Sequence, residues 1–234
     1  MQKIIEIKNL SYIYPDGTVA LKDINLDIFK GDSIGMIGPN GAGKTTLLLH
    51  LNGILISNGS VKVCELPVNE RNLDKIRQRV GLVFQDPDDQ LFMPTVFDDV
   101  AFGPINMGLD SDRVRIKVDS ALKFVDMEDY KDRIGHHLSF GEKKRVSLAT
   151  IMSMEPDILV LDEPTGNLDL KHRKEFINLL KDMNITKIIA THDMNMVLSI
   201  CSKVAIMDQG KLIAFDTTEK IFGNKELLAA HGLD

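Results

Sequence analysis

The sequence predicts an α/β fold with a mostly parallel core sheet, an antiparallel β part at the N-terminus and an inserted helical lobe. Three observations carry that prediction. Residues 158–163 (ILVLDE) form a nearly continuous apolar run, as expected of a central parallel strand covered on both faces. Residues 33–37 (SIGMI) run into a glycine-rich loop and then into a helical pattern, the strand–loop–helix order of right-handed crossover units. From about residue 95 to 154 the periodicity turns helical, which interrupts the strand-rich pattern on either side.

Taken in order, residues 4–14 are rich in Ile and Tyr, and residues 19–30 (VALKDINLDIFK) alternate apolar with polar. Both predict strands of the antiparallel part, with Gly31-Asp32 as the turn that leaves it. In 44–53 (KTTLLLHLNG), Leu47, Leu48 and Leu51 share one helical face and Gly53 marks the helix end. Further strands are expected at 60–64 and 80–85. Within the helical block, residues 112–125 set Val114, Val118, Leu122 and Val125 at near-helical spacing, and 139–154 reads as another helix. Helix 170–183 and strand 187–191 supply the next crossover. Residues 203–208 and 211–215 flank Gln209-Gly210 as a hairpin, and 217–234 is mostly helical.

The chain has 234 residues, 44% hydrophobic and 26% charged, a globular composition with room for one large domain and no second full one. With 28 basic against 34 acidic residues, the net charge of −6 argues against a nucleic-acid partner, which favours a basic surplus. Cys64 and Cys201 lie far apart without CxxC spacing. They predict no disulfide framework and no zinc site, and read as small buried hydrophobes of a reducing compartment. No run of ~18 apolar residues occurs, so no membrane span is expected. The N-terminal MQKIIEIKNL lacks a signal peptide's apolar core. His50 and the adjacent His136-His137 offer no convergent third ligand, and no transition-metal site is expected there.

Chemistry concentrates in four segments. Residues Gly38, Pro39, Asn40, Gly41, Ala42, Gly43, Lys44 and Thr45 match GxxxxGK[ST], with Thr46 following. Glycines let backbone N–H groups turn around phosphate oxygens, and the helix that follows aims its positive end at the same place. Lys44 is expected on the β- and γ-phosphates and Thr45 on Mg²⁺. Asp162-Glu163 closes the ILVLDE strand, where Asp162 can hold the Mg²⁺ shell from a neighbouring strand end and Glu163 can take a proton from attacking water. His192 lies 29 positions after Glu163, at the end of what should be the adjacent strand, within reach of the γ-phosphate. Finally, Ser139-x-x-Glu142 is a capping-box pattern that opens a helix whose N-terminus can receive an anion.

The P-loop, Gln85, the segment L-S-F-G-E-K-K-R (138–145), the LDEP box and His192 occur in this order, and with them the chain closely resembles ABC nucleotide-binding subunits over nearly its whole length. The resemblance implies one ABC ATP-binding domain over 1–234, a P-loop NTPase with a RecA-like core of about 1–94 and 155–234 and the helical lobe at about 95–154. It implies ATP and Mg²⁺ as ligands, and hydrolysis between two head-to-tail copies, homo- or heterodimeric. Ser139 and Gly141 then face the γ-phosphate held on the opposite subunit's P-loop. Gln85 matches the glutamine that contacts Mg²⁺ or its water, and Leu168-Asp169 the loop that crosses the dimer interface. Tyr14 matches the aromatic residue that stacks on adenine, with Tyr12 as its rival. Phe140 and Glu142 depart from the common LSGGQ, where glycine and glutamine stand.

A narrower resemblance lies in residues 84–104 (FQDPDDQLFMPTVFDDVAFGP) and 49–53 (LHLNG), which look like the cobalt-type and energy-coupling-factor ATPases. It implies a peripheral subunit on the cytoplasmic face of the cell membrane that energises uptake of cobalt, nickel or a vitamin through integral membrane subunits. Leu91, Phe92, Met93 and Val96 are then expected to form the apolar groove that grips a membrane partner's coupling helix. The alternative is a soluble ABC ATPase of DNA repair or translation. The 54-residue separation of Gln85 from Ser139, without sustained heptads, and the presence of one such domain weigh against it. A non-catalytic nucleotide-binding scaffold is disfavoured by the presence of both Glu163 and His192.

Overall fold

The computed structural model describes residues 2–57 and 60–233. Strands β1 (Lys3–Ile13) and β2 (Val19–Phe29) pair antiparallel and lead into β3 (Ser33–Ile37) and helix α1 (Lys44–Asn52). Then come β4 (Val61–Val63), β5 (Leu66–Pro67), α2 (Leu73–Arg79) and β6 (Val80–Val83). The helical block holds α3 (Val96–Asn106), α4 (Ser111–Phe124) and α5 (Phe140–Met152). The chain returns through β7 (Ile158–Asp162), α6 (Leu170–Lys181), β8 (Thr186–Ala190), α7 (Met194–Ile200), β9 (Lys203–Asp208), β10 (Lys211–Thr217), α8 (Thr218–Gly223) and α9 (Lys225–Ala230). Asp234, the last residue of the expected helical tail, and Met1 lie outside the described residues.

Two sheets result. One is four-stranded in the order β2-β1-β4-β5, and the other six-stranded in the order β10-β9-β3-β8-β7-β6, parallel except for the edge strand β10. The apolar run that predicted a central strand is β7, buried along its whole length. Its alternation explains why it needed no polar face. Ile158 and Val160 join the core shared with α1 and the antiparallel sheet, whereas Leu159 and Leu161 join the core shared with α5, α6 and α7. Each such side chain contributes about 1.5–3 kcal/mol of burial. Strand β8 carries a buried lysine on the same logic. Lys187 Nζ donates to the carbonyls of Leu180 and Met183, capping the end of α6, which is why its charge is tolerated.

Several expectations need correction. The strand expected at 80–85 ends at Val83, because Phe84 N turns to the Gln90 side chain at 3.2 Å instead of continuing the ladder. Cys64 is not a buried hydrophobe: it is half-buried in the β4–β5 turn at φ 47, beside Glu65 at φ 68, whereas Cys201 is buried. Asp162 does not arrive from the strand next to β3, since β8 lies between β3 and β7. The separation is closed by α1, which packs across β6, β7 and β8 and brings Thr45 to Asp162. The short elements β5, α2 and α7 went unpredicted.

Candidate nucleotide site

The ends of β3, β7 and β8 open into one cleft of about 860 Å³. Residues 38–46 line it, together with Tyr14, Gln85, Asp162, Glu163 and His192. Every sequence-predicted site residue except Ser139 and Gly141 is therefore in one place. The loop at its floor closes too tightly for side chains. Gly43 sits at φ 98 as the N-cap of α1, and a Cβ there would stand 2.6 Å from the Ala20 carbonyl; one at Gly38 would overlap the Met207 carbonyl.

Lys44 is buried, and its Nζ donates to the carbonyls of Gly38 at 2.8 Å and Pro39 at 3.1 Å. Burial pulls its ammonium below the usual lysine range, opposed by the charges of Glu163 and Asp162. Thr45 Oγ1 donates to Asp162 Oδ2 at 2.7 Å. Burial raises the Asp162 carboxyl above the usual range, and the Thr45 hydrogen bond works against that rise. Thr45, Asp162 and the Gln85 amide form an all-oxygen donor set, the hard chemistry that suits Mg²⁺.

Glu163 leaves β7 with its backbone at φ 42, a left-handed conformation rare for a non-glycine residue and typical of functional sites. Its N–H donates to the Ala190 carbonyl at 2.8 Å, and its Oε2 accepts from Thr191 Oγ1 at 3.0 Å. The same oxygen pairs with His192 Nδ1 at 2.9 Å. Three consecutive β7–β8 contacts thus hold the carboxylate at the mouth of the cleft.

Tyr14 and Tyr12 divide their roles. Tyr14 lines the cleft with its hydroxyl 3.0 Å from Thr46 Oγ1, whereas Tyr12 packs edge-on against the buried His50 ring at 4.8 Å. His50 Nδ1 in turn bonds the Thr46 carbonyl at 2.8 Å, and His136 and His137 are exposed. Among the described residues no three His, Cys, Asp or Glu side chains converge as a metal site.

The family model described as ABC transporter matches residues 21–166 of this chain. The chain belongs to the ABC transporter family. Like other ABC ATPases it binds and hydrolyses ATP. It is 47% identical over 231 residues to the energy-coupling factor transporter ATP-binding protein EcfA of Methanothermobacter thermautotrophicus, covering 96% of this chain and 74% of that protein. Among solved structures it resembles cbiO1 of Clostridium perfringens, described as part of the ABC transporter complex cbiONQ, with a TM-score of 0.85, 41% identity and coverage of 100% of this chain and 96% of that one. A dimeric ATP-binding cassette, MJ0796, bound to ADP and Pi in a post-hydrolysis state, matches with a TM-score of 0.82 at 25% identity, covering 92% of this chain and 98% of that one.

In this ABC subunit Ser139 and Gly141 stand outside the cleft, at the start of α5. The capping box forms in full: Glu142 N donates to Ser139 Oγ at 3.4 Å, while Glu142 Oε2 accepts from Ser139 N at 2.7 Å and from Ser139 Oγ at 2.8 Å. The acid that departs from the common motif is therefore folded back onto its own helix end.

The expected groove is also rearranged. Leu91 and Val96 are buried in the core of the helical block, where they cannot line a groove. Phe92 is 63% exposed and stacks edge-on with Phe102 at 5.1 Å, and with Ile54, Met107 and Met154 it borders a second cavity of about 640 Å³. Sequence reasoning missed several residues in and behind the cleft. Gln90 ties Phe84 N to the Ser147 carbonyl and the Thr150 hydroxyl of α5. Gly232 and Leu233 close one wall of the cleft. Lys144 is fully buried, which lowers its ammonium to about 8. Its spacing with Leu148 and Ile151, at i+4 and i+7 on the buried face of α5, was a usable signal.

Proposed function

We propose that this subunit drives a membrane importer of transition-metal ions or a vitamin, working as one half of a head-to-tail ATPase dimer on the cytoplasmic face of the membrane. The observation that carries the chemistry is the convergence of Lys44, the Thr45–Asp162 pair and the Glu163–His192 pair at the ends of three parallel strands.

Each residue then has a role set by its position. Lys44 and the loop backbone hold the β- and γ-phosphates, and Tyr14 offers its ring to adenine. Thr45, Asp162 and Gln85 hold Mg²⁺, which when bound neutralises charge developing on the phosphate oxygens. Glu163 orients water and accepts its proton, and His192 steadies the γ-phosphate and the carboxylate together. Catalysis of this kind is positioning and charge stabilisation rather than covalent chemistry. Ser139 and Gly141, standing clear of their own cleft, meet the phosphate bound by a second subunit once the Ser139 hydroxyl turns from Glu142. The block α3–α5 moves as a lobe on the two-sheet core, and its motion passes to the membrane subunits through the Phe92–Phe102 groove. The likeness to a part of the ABC transporter complex cbiONQ and to an energy-coupling factor transporter ATP-binding protein supports a transporter as the machine served, and the cargo class rests on the sequence resemblance in residues 84–104.

The test is affinity capture of the tagged protein from native membranes, beside a variant carrying Phe92→Ser and Phe102→Ser. Recovery of a multispanning protein by the parent and not by the variant is the expected result. Recovery of soluble proteins alone from intact membranes would overturn the importer reading.

A further inference from the structure

Helix α5 carries a buried cation, Lys144, that among the described residues makes no carboxylate ion pair, although Asp162, Asp86 and Glu163 act on it from farther away. Lys144 Nζ donates instead to three backbone carbonyls: Gln85 at 2.6 Å, Phe84 at 3.4 Å and Glu163 at 3.4 Å. These carbonyls belong to two segments that the fold brings in from different directions, the loop after β6 and the residue after β7. The ammonium joins both to α5, the helix that Ser139 opens. The ring of Phe140, one turn earlier, lies 5.7 Å from the same nitrogen and shields it on one side.

A buried ammonium costs stability, and an apolar side chain of similar volume ordinarily serves packing better. The lysine is therefore poorly explained as filler. Two of its three acceptors, the carbonyls of Gln85 and Glu163, belong to residues that line the cleft, so its displacement moves Gln85 and Glu163 without touching either side chain. Glu163 is also the residue held at φ 42, a conformation that needs external support.

We propose that Lys144 is a positioning residue for ATP hydrolysis: it fixes the backbones of Gln85 and Glu163 against α5, so that amide and carboxylate reach their reacting places only when the helical block is seated on the core. The inference rests on the roles proposed above for Glu163 and Gln85. It also gives the departure at Phe140 a purpose, since a glycine there would leave the ammonium without its aromatic cover.

The test compares parent, Lys144→Met and Lys144→Gln in three measurements: steady-state ATP hydrolysis, equilibrium binding of a fluorescent ATP analogue, and thermal melting. Methionine keeps the volume and removes the charge; glutamine keeps a donor and is the fallback where methionine does not fold. The expected result for Lys144→Met is kcat lower by about 30-fold or more, nucleotide Kd within about threefold and melting unchanged or higher, with Lys144→Gln intermediate in kcat. A kcat equal to the parent's would overturn the proposal, as would loss of kcat, Kd and melting temperature in parallel, which marks a structural role. Combining Lys144→Met with Glu163→Gln separates the two readings. If Lys144 acts through Glu163, the double variant is no slower than Glu163→Gln alone. If Glu163→Gln itself turns over like the parent, the assignment of Glu163 fails first and this inference with it.

Discussion

His192 places Nδ1 2.9 Å from Oε2 of Glu163, so an exposed ring and a nearly buried carboxylate form one unit across the ends of β8 and β7. The pair gives the first prediction. Glu163→Gln keeps the shape and the contacts from Thr191 but cannot accept a proton. It should leave ATP binding intact and lower turnover by about 10²–10⁴-fold. With Mg-ATP it should also accumulate as a dimer on size-exclusion chromatography. Turnover near the parent rate would remove Glu163 from the role of base.

Tyr14 and Tyr12 separate binding from folding. Tyr14→Ala should raise KM for ATP about three- to tenfold, the worth of an aromatic contact of ~0.5–1.5 kcal/mol, with little change in melting temperature. Tyr12→Ala empties space against His50 and should cost about 2 kcal/mol of stability while leaving KM close to the parent value. An exchange of these two phenotypes would make Tyr12 the adenine platform.

Glu142 occupies the Ser139 hydroxyl at 2.8 Å. If Ser139 serves a phosphate on a second subunit, that acid competes for it and adds like charge beside the anion. In a Glu163→Gln background, Glu142→Gln should then lower the ATP concentration needed for dimerisation about threefold, measured by light scattering, since a neutral amide leaves the phosphate a better-placed partner. Weaker dimerisation would show that the carboxylate is needed to hold the helix start.

Asp99 predicts a pH signature. It is buried with Oδ1 accepting from the N–H groups of Phe92 and Met93, while Oδ2 has no partner among the described residues. Burial raises its carboxyl above the usual range, the two N–H groups oppose that rise, Asp98 adds to it and His136 subtracts. Because the folded form holds its proton more tightly than the unfolded chain, stability falls as pH rises through the raised value, and the penalty persists at neutral pH. Asp99→Asn should therefore melt about 2–4 °C higher than the parent at pH 7 by scanning calorimetry, with the difference shrinking toward pH 4. An unchanged difference across that range would mean the carboxylate is not the source.

Legibility followed the physics of each element. Strands β3 and β7 are readable because a strand buried on both faces is apolar over nearly its whole length, β8 through its apolar Ile188–Ala190 end despite the buried Lys187, and α1 because Gly53, at φ 76, ends it as a left-handed C-cap should. The P-loop was readable because its glycines answer to backbone geometry, which is local. What failed was non-local. No periodicity in ILVLDE tells that β8 inserts between β3 and β7. Leu91 and Val96 looked like groove residues because apolar character does not say which side of a helix block a loop will face. Lys144 sits in a charged run, EKKR, whose other members are half-buried and held by the helix start or by carboxylates; its register with Leu148 and Ile151 sets it apart.

The segment that leaves β8 ties the cleft to α6. Thr191 holds Glu163 at 3.0 Å, and Asp193 N donates to the Thr191 hydroxyl at 3.0 Å. Asp193 in turn receives Arg173 Nε of α6 at 2.7 Å and the Thr165 hydroxyl at 3.1 Å. The Glu163 carboxylate is thus three hydrogen-bonded links from Arg173 on α6. The carboxylate's position is therefore set in part by a residue that stands on a different helix, outside the cleft.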